Sequence, residues 1–229
     1  MTIAYPVTSI PYEQLTDLFI KKSEGLYILQ PSIGNGSVEI FRLARGMEAR
    51  FWNCNFNQEI ELYCQVSPEI RNRYFTLVCF LDTSGLRIYS SDTSLTQNFV
   101  WNTMFISAKS NYKMYIPPST NGQCISISFT KTWLHQNILE KNTAFHQLKE
   151  QVKTIENFSL LGEMNASQKK MVAELLNVSW KKSFGTFYIK SSVLKIISDF
   201  LYKIKERDSA GINHLCLEKE VPELKKYTE

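Results

Sequence analysis

The sequence predicts an α+β protein, an antiparallel β-barrel or jelly roll followed by a helical region, and three observations predict it. Apolar and polar residues alternate with period two in short blocks through the first 130 residues. Turn-forming residues separate those blocks at short spacing. Beyond Lys131 the apolar residues recur three and four apart, the period of a helix.

In chain order, an opening segment with one short helix expected over Tyr12–Lys22 leads into the strands. Met47, Ala49 and Phe51 oppose Glu48, Arg50 and Trp52; Ile60, Leu62 and Cys64 oppose Glu59, Glu61 and Tyr63; Ile125, Ile127 and Phe129 oppose Ser126 and Ser128. Each block reads as a half-buried strand. The run Arg73–Leu81 is apolar on both faces, so it is expected to lie between the sheet interior and something packed outside it. Turns are expected at Gly34-Asn35-Gly36, Ser67-Pro68, Asp82-Thr83-Ser84-Gly85, Pro117-Pro118 and Asn121-Gly122. Many short strands at such spacing favour a barrel or jelly roll over a parallel sheet.

Three helical stretches follow. Phe145, Leu148, Val152 and Ile155 form one stripe, and Met171, Leu175 and Val178 another. The clearest is Ser191–Lys205, whose Val193, Leu194, Ile196, Ile197, Phe200, Leu201 and Ile204 make a stripe too wide for a single neighbour. After a loop at Asp208–Gly211, Pro222 opens a further helix, in which Leu224 and Tyr227 begin an apolar face that the remaining residues do not complete. The chain is therefore expected to be a piece of a longer protein.

Composition narrows the function classes. With 44% hydrophobic residues the chain can bury a sizeable core, and no apolar run reaches the length of a membrane span. The start lacks the basic and apolar regions of a secretory signal, so a soluble, cytoplasmic protein is expected. Cys54, Cys64, Cys79, Cys124 and Cys216 are odd in number, scattered and without a CxxC pair, which reads as buried thiols in a reducing compartment. The net charge of +4 lies wholly in residues 131–229, where basic residues are interspersed with acids. That is a solvated helix surface, and this chain alone is expected to bind DNA poorly.

The chemistry-bearing motifs are mostly negative. All three histidines, His135, His146 and His214, fall in the helical part. A metal-dependent cupin enzyme needs two closely spaced histidines, a glutamate and a later histidine on its strands. Gly46 stands where such a signature could start, but MEARFWNCNF follows it, so no metal and no cofactor are expected. GxSxG, GxxxxGK[ST] and GxGxxG are absent. Glu59 and Glu61 could mimic a catalytic carboxylate pair; a solvated strand face explains them better. The strand aromatics either line a ligand cavity or fill a small barrel. The pocket candidates are Phe51, Leu62, Phe75, Leu77, Cys79, Trp101, Ile127 and Phe129.

Two segments carry a family resemblance. GQCISISFTKTWLHQNI, with Ile125, Ile127, Phe129, Lys131, Trp133 and Leu134, resembles the last barrel strand and first helix of AraC-type bacterial transcription regulators. FYIKSSVLKIISDFLYKIKERD resembles their long dimerisation helix, and VPELKKYTE the lead-in to their helix-turn-helix pair. The resemblance spans nearly the whole chain through the order of its parts. It implies an amino-terminal segment and cupin-like sensor barrel over residues 1–130, a helical dimerisation region over 131–207, and a linker with the start of an absent DNA-binding domain over 208–229.

The function so implied is not enzymatic. It is effector sensing and homodimerisation, with promoter DNA read through two helix-turn-helix units in the missing carboxy-terminal domain. A small molecule either occupies the barrel or does not. Leu194, Ile197, Leu201 and Ile204, spaced three, four and three, are the dimer-face candidates, unless that stripe merely covers its own barrel. Two other readings stand beside this one: a metal-independent cupin-type enzyme working through Glu59 or Glu61, and a jelly-roll ligand-binding module with no link to transcription.

Overall fold

A computed structural model describes residues 2–4, 18–64, 74–83, 86–90, 102–107, 112–140, 149, 159–177 and 185–209. Its strands are β1 (Thr2–Ala4), β2 (Phe19–Ser23), β3 (Leu26–Leu29), β4 (Gly34–Ala44), β5 (Met47–Phe56), β6 (Ile60–Cys64), β7 (Tyr74–Phe80), β8 (Arg87–Ser90), β9 (Thr103–Ser107), β10 (Tyr112–Ile116), β11 (Asn121–Thr130) and β12 (Ser159–Gly162). The helices are α1 (Lys131–Leu134), which continues as a π-turn over His135–Leu139, then α2 (Ala166–Asn177) and α3 (Gly185–Ser209).

The strands form two sheets and not one closed barrel. The larger has the order β12-β9-β7-β11-β5-β4-β3-β2 and the smaller β1-β6-β10-β8. Apart from the parallel pair of β1 with β6, the described strand pairs are antiparallel. From β5 to β11 each successive strand lies in the other sheet. Neighbours in sequence therefore face one another across an interior.

Layering follows from which faces are apolar. Val38, Cys54, Phe56, Val78, Phe80, Met104 and Ile106 of the large sheet share one buried cluster with Ile60, Leu62, Leu86, Ile88, Met114 and Ile116 of the small-sheet side. The opposite face of the large sheet forms a second cluster with α1, α2 and α3. The doubly apolar run in β7 is thereby explained: Phe75, Leu77 and Cys79 point to the helices, Val78 and Phe80 to the other sheet. Rings pack through the helix-side layer, with Phe105 at 5.7 Å from Phe75, stacked at 5.8 Å on Phe129 and edge-on at 5.8 Å to Phe200 of α3.

Local chemistry sets the helix starts. Thr130 accepts from the Trp133 N–H at 3.0 Å and so caps α1. Asn165 and Gln168 exchange side-chain-to-backbone bonds of 2.8 and 2.9 Å, a capping box that opens α2. Lys203 of α3 donates to the Glu163 carbonyl at 2.7 Å and to Gln168 Oε1 at 2.8 Å, tying α3 to that same turn.

Several sequence expectations change here. Phe19–Ser23 is strand β2, not the end of a helix over Tyr12–Lys22, because Leu18 and Phe19 are buried and the chain turns at Gly25 with φ +74° into β3; residues 12–17 lie outside the described residues. Gly34 and Gly36 belong to β4, and the turn precedes them at Pro31–Ile33. A Cβ on Gly36, at φ +124°, would run into the Asn53 carbonyl of β5, so a glycine that looks like a turn signal instead permits close strand approach. Asn121-Gly122 likewise opens β11, and the turn lies at Pro118–Ser119. Strand β12 was not expected in the helical part; it pairs with β9 and extends the large sheet. The stripe from Phe145 to Ile155, Val178, and the turn at Ser67-Pro68 lie outside the described residues.

Candidate inter-sheet binding site

Between the two sheets lies a cavity that gives the centres of water molecules about 70 Å³ to occupy. At roughly 10–15 Å³ per water it admits several waters or one slender molecule. Strand β5 contributes Arg50, Trp52 and Phe56, β7 contributes Val78 and Phe80, and β11 contributes Gly122, Cys124 and Ser126. Across the lumen stand Leu62 of β6, Leu86, and Met114 and Ile116 of β10. Leu18 and Phe19 close one side, and Phe19 meets Trp52 edge-on at 5.9 Å. Asp82 and Asn121, both exposed, mark the rim together with Thr120.

Sheet register places Arg50 and Ser126 at the end away from that rim. Arg50 stands opposite Ser126, which stands opposite Val78; one step along, Glu48 faces Ser128 and Ser128 faces Thr76; one step the other way, Trp52 faces Cys124 and Cys124 faces Phe80. Arg50 is 3% exposed, and its Nε donates to Glu48 Oε1 at 2.8 Å. A buried guanidinium with a carboxylate partner is the arrangement in which burying charge is tolerated. Trp52 Nε1 donates to Ser126 Oγ at 3.0 Å, and the hydroxyls of Thr76 and Ser128 bond each other at 3.0 Å. The result is a lumen with an almost wholly apolar surface, whose polar residues stand at the Arg50–Ser126 end and at the rim.

The cysteines near this wall are unreactive by environment. Burial pushes the Cys54 thiol up to about 12, against small opposing contributions from backbone bonds at Asn53 and Ser37, and pushes Cys79 up to about 12. Cys124 is raised as well, first by burial and then by the neighbouring Cys54 and Cys79. All three are free thiols, kept protonated and weakly nucleophilic at neutral pH.

Of the pocket candidates read from the sequence, Leu62 lines the cavity. Phe51, Phe75, Leu77, Cys79, Ile127 and Phe129 point the other way, into the helix-side core, and Trp101 lies outside the described residues. The parity is shifted by one residue because the helices cover the more apolar face of the large sheet. Trp52, one of the strand aromatics, lines the cavity, whereas Arg50, Ser126, Phe80, Met114 and Ile116 were missed. Their signal was present: strands beside the doubly apolar β7 are covered on both faces, so their polar residues could not all face water. Glu59 is exposed and accepts the Tyr115 hydroxyl at 2.7 Å. It and Glu61 flank the inward-facing Ile60 and precede Leu62 on the outer face of the small sheet, away from the cavity.

Among the dimer-face candidates, Ile197, Leu201 and Ile204 are buried against the protein's own sheet and only Leu194 is exposed, at 38%. On α3 the exposed large hydrophobics are Phe187, Tyr188, Leu194 and Tyr202. His135 pairs with Glu140 at 2.9 Å, while His146 and His214 lie outside the described residues. No group of three or more potential metal ligands occurs among the described residues. No helix among them is long and apolar enough to cross a membrane. No protein-family model, curated protein or solved structure matches the chain.

Proposed function

We propose that this chain is the effector-sensing and dimerisation region of an AraC-type transcription regulator, acting through a carboxy-terminal helix-turn-helix domain outside the chain. The observation that carries the reading is α3. This 25-residue helix seals the sheet with Ile189, Val193, Ile196, Ile197, Phe200, Leu201 and Ile204 while turning Phe187, Leu194 and Tyr202 outward. With 3.6 residues per turn those three fall on one side of the helix, and Ser191 and Ser198 between them are small enough for a second helix to approach closely. The dimer face of this proposal is therefore Phe187, Leu194 and Tyr202. Ile197, Leu201 and Ile204 hold the helix to its own sheet.

The strand order supports a jelly roll of cupin type for the sensor. Alternation between sheets from β5 to β11, with β9-β7-β11-β5 in one sheet and β6-β10-β8 in the other, is the winding such a fold requires. The apolar cavity with few polar groups supports ligand binding over catalysis, because Glu59 and Glu61 face away from it. We place the protein in the bacterial cytoplasm as a homodimer that carries no cofactor.

Sedimentation of the chain tests the dimer. The wild type is expected to associate at micromolar concentration and Leu194→Glu to remain monomeric with an unchanged circular dichroism spectrum. A monomeric wild type removes the dimerisation role. Reading the coding sequence downstream of Glu229 tests the rest: two helix-turn-helix patterns are expected within about 100 residues, a small domain's length, and their absence overturns the regulator assignment.

A further inference from the structure

We infer that Asn35-Gly36, near the start of β4, is a site of spontaneous covalent modification, at which Asn35 loses its side-chain amide through a succinimide and the strand acquires aspartate or isoaspartate. The inference is independent of the regulator reading. Two Asn-Gly pairs occur in the sequence, Asn35-Gly36 and Asn121-Gly122. Both asparagines are exposed, and they stand on either side of Asn55 of β5 in one register row.

The reaction needs the backbone nitrogen of the following residue as a nucleophile. That nitrogen gives up its proton and attacks the asparagine Cγ, Nδ2 leaves as ammonia, and a five-membered succinimide closes. Water then opens one of the two ring carbonyls and gives aspartate or isoaspartate, so one water enters for each ammonia lost. Glycine favours the attack because no side chain shields its nitrogen and its dihedral angles are the least restricted.

Sheet register separates the two pairs. In an antiparallel ladder, residues alternate between those whose N–H and C=O bond to a given neighbour and those that face away from it. The Leu81 N–H reaches the Gln123 carbonyl and the Thr130 N–H the Gly46 carbonyl, which sets the even-numbered residues of β11 to bond β5. The Gly122 N–H is therefore directed at the carbonyl of Cys54, its register partner. An N–H held in this way sheds its proton less readily and does not turn toward Cγ. On β4 the Asn57 N–H reaches the Ile33 carbonyl, which makes Gly34 with Phe56 a non-hydrogen-bonded pair and Asn35 with Asn55 a hydrogen-bonded one. Gly36 comes next and faces away from β5. On its other side the register with β3 ends one step short of it, at Ile28 with Ser37. The nitrogen placed to attack Asn35 thus lies outside the β5 ladder, beside the turn at Pro31–Ile33.

The two products differ in their effect on the strand. Aspartate adds a charge at an exposed position and leaves the main chain as it was. Isoaspartate carries the main chain through Cβ and Cγ, which lengthens it by one methylene. A Cβ on Gly34 would run into the Asn55 carbonyl and one on Gly36 into the Asn53 carbonyl, so β4 lies close against β5 on both sides of Asn35. The added methylene has no slack to occupy there and displaces the register of β4 on β5.

Ageing of the purified 229-residue chain in mildly alkaline buffer, folded and in urea, tests the assignment by peptide mass spectrometry. Isoaspartate is told from aspartate by its methylation with an isoaspartyl methyltransferase. In the folded chain Asn35 is expected to convert at least about fivefold faster than Asn121, the kinetic equivalent of about 1 kcal/mol for one hydrogen bond. In urea the two should convert at comparable rates. The aged wild type should show a second, lower melting transition that Asn35→Gln lacks, while Asn35→Asp, which carries the charge without the longer main chain, should melt close to the fresh wild type. Equal rates in the folded chain, faster conversion of Asn121, no conversion of folded Asn35, or the same preference for Asn35 in urea would each overturn the inference. A lower melting transition that appears equally in aged Asn35→Gln would overturn the stated effect on the strand.

Discussion

Phe105→Ala tests whether the sheet and α3 share one core. Phe105 is 1% exposed, and its ring lies within 6 Å of three others, Phe75 and Phe129 on neighbouring strands and Phe200 on the helix. Truncation removes a phenyl group from a site walled by rigid strands that cannot collapse onto the space. The loss should sit at the usual cost of a buried Phe→Ala change, about 3–5 kcal/mol. Against a typical stability of about 5–15 kcal/mol that is about a fifth or more of the total. In a chain of this size it corresponds to a fall in Tm of about 10 °C.

The Phe105–Phe200 pair, edge-on at 65°, is isolated by a double-mutant cycle with Phe200→Ala. A coupling of about 0.5–1.5 kcal/mol is expected for such a pair. Urea unfolding followed by far-ultraviolet circular dichroism supplies the four stabilities. A loss below about 1 kcal/mol for Phe105→Ala, or a coupling of zero, would show that α3 does not pack on the sheet at this ring, and the layer order would be wrong.

Three further outcomes are expected. Gly36→Ala should destabilise by more than about 1 kcal/mol, because alanine is strained at φ +124° and its Cβ meets the Asn53 carbonyl; an unchanged urea midpoint would rule out that close strand approach. Asn165→Ala should cost about 1 kcal/mol through loss of the α2 cap, read as a lower Tm, and a neutral result would mean that Asn165 does not cap. The thiols of Cys54 and Cys79 keep their protons to about pH 12 when folded, against an ordinary value of 9.0. Between those values the unfolded chain has ionised and the folded chain has not, so their contribution is complete below pH 9 and is lost as pH rises through this window. The urea midpoint should fall more steeply from pH 8 to 10.5 in the wild type than in Cys79→Ala, and parallel slopes would contradict the burial of that thiol.

Much of the fold was legible because short-range patterns report it. Alternation along β5 and β11 identified strands whose two faces differ, and the helical period of Ser191–Lys205 identified the core of α3. The glycines at 34, 36 and 122 were misleading because a residue without a Cβ marks both turns and close strand contact, and only the neighbouring strand tells which. Strand β12 was missed because four residues carry too little period, and β9 supplies its partner from more than fifty residues away.

By itself, the sequence determined the class of each long element and the two faces of each strand, since these follow from periods of 2 and 3.6 residues within one segment. Which face met which layer was decided by tertiary structure alone. Phe51, Ile127 and Phe129 went to the helices and Arg50, Trp52 and Ser126 to the cavity because α1, α2 and α3 cover the more apolar side of the large sheet. Likewise Ile197, Leu201 and Ile204 were claimed by the chain's own sheet, leaving Leu194 outside. Parity along a strand names two candidate faces, and only packing against a neighbour chooses between them.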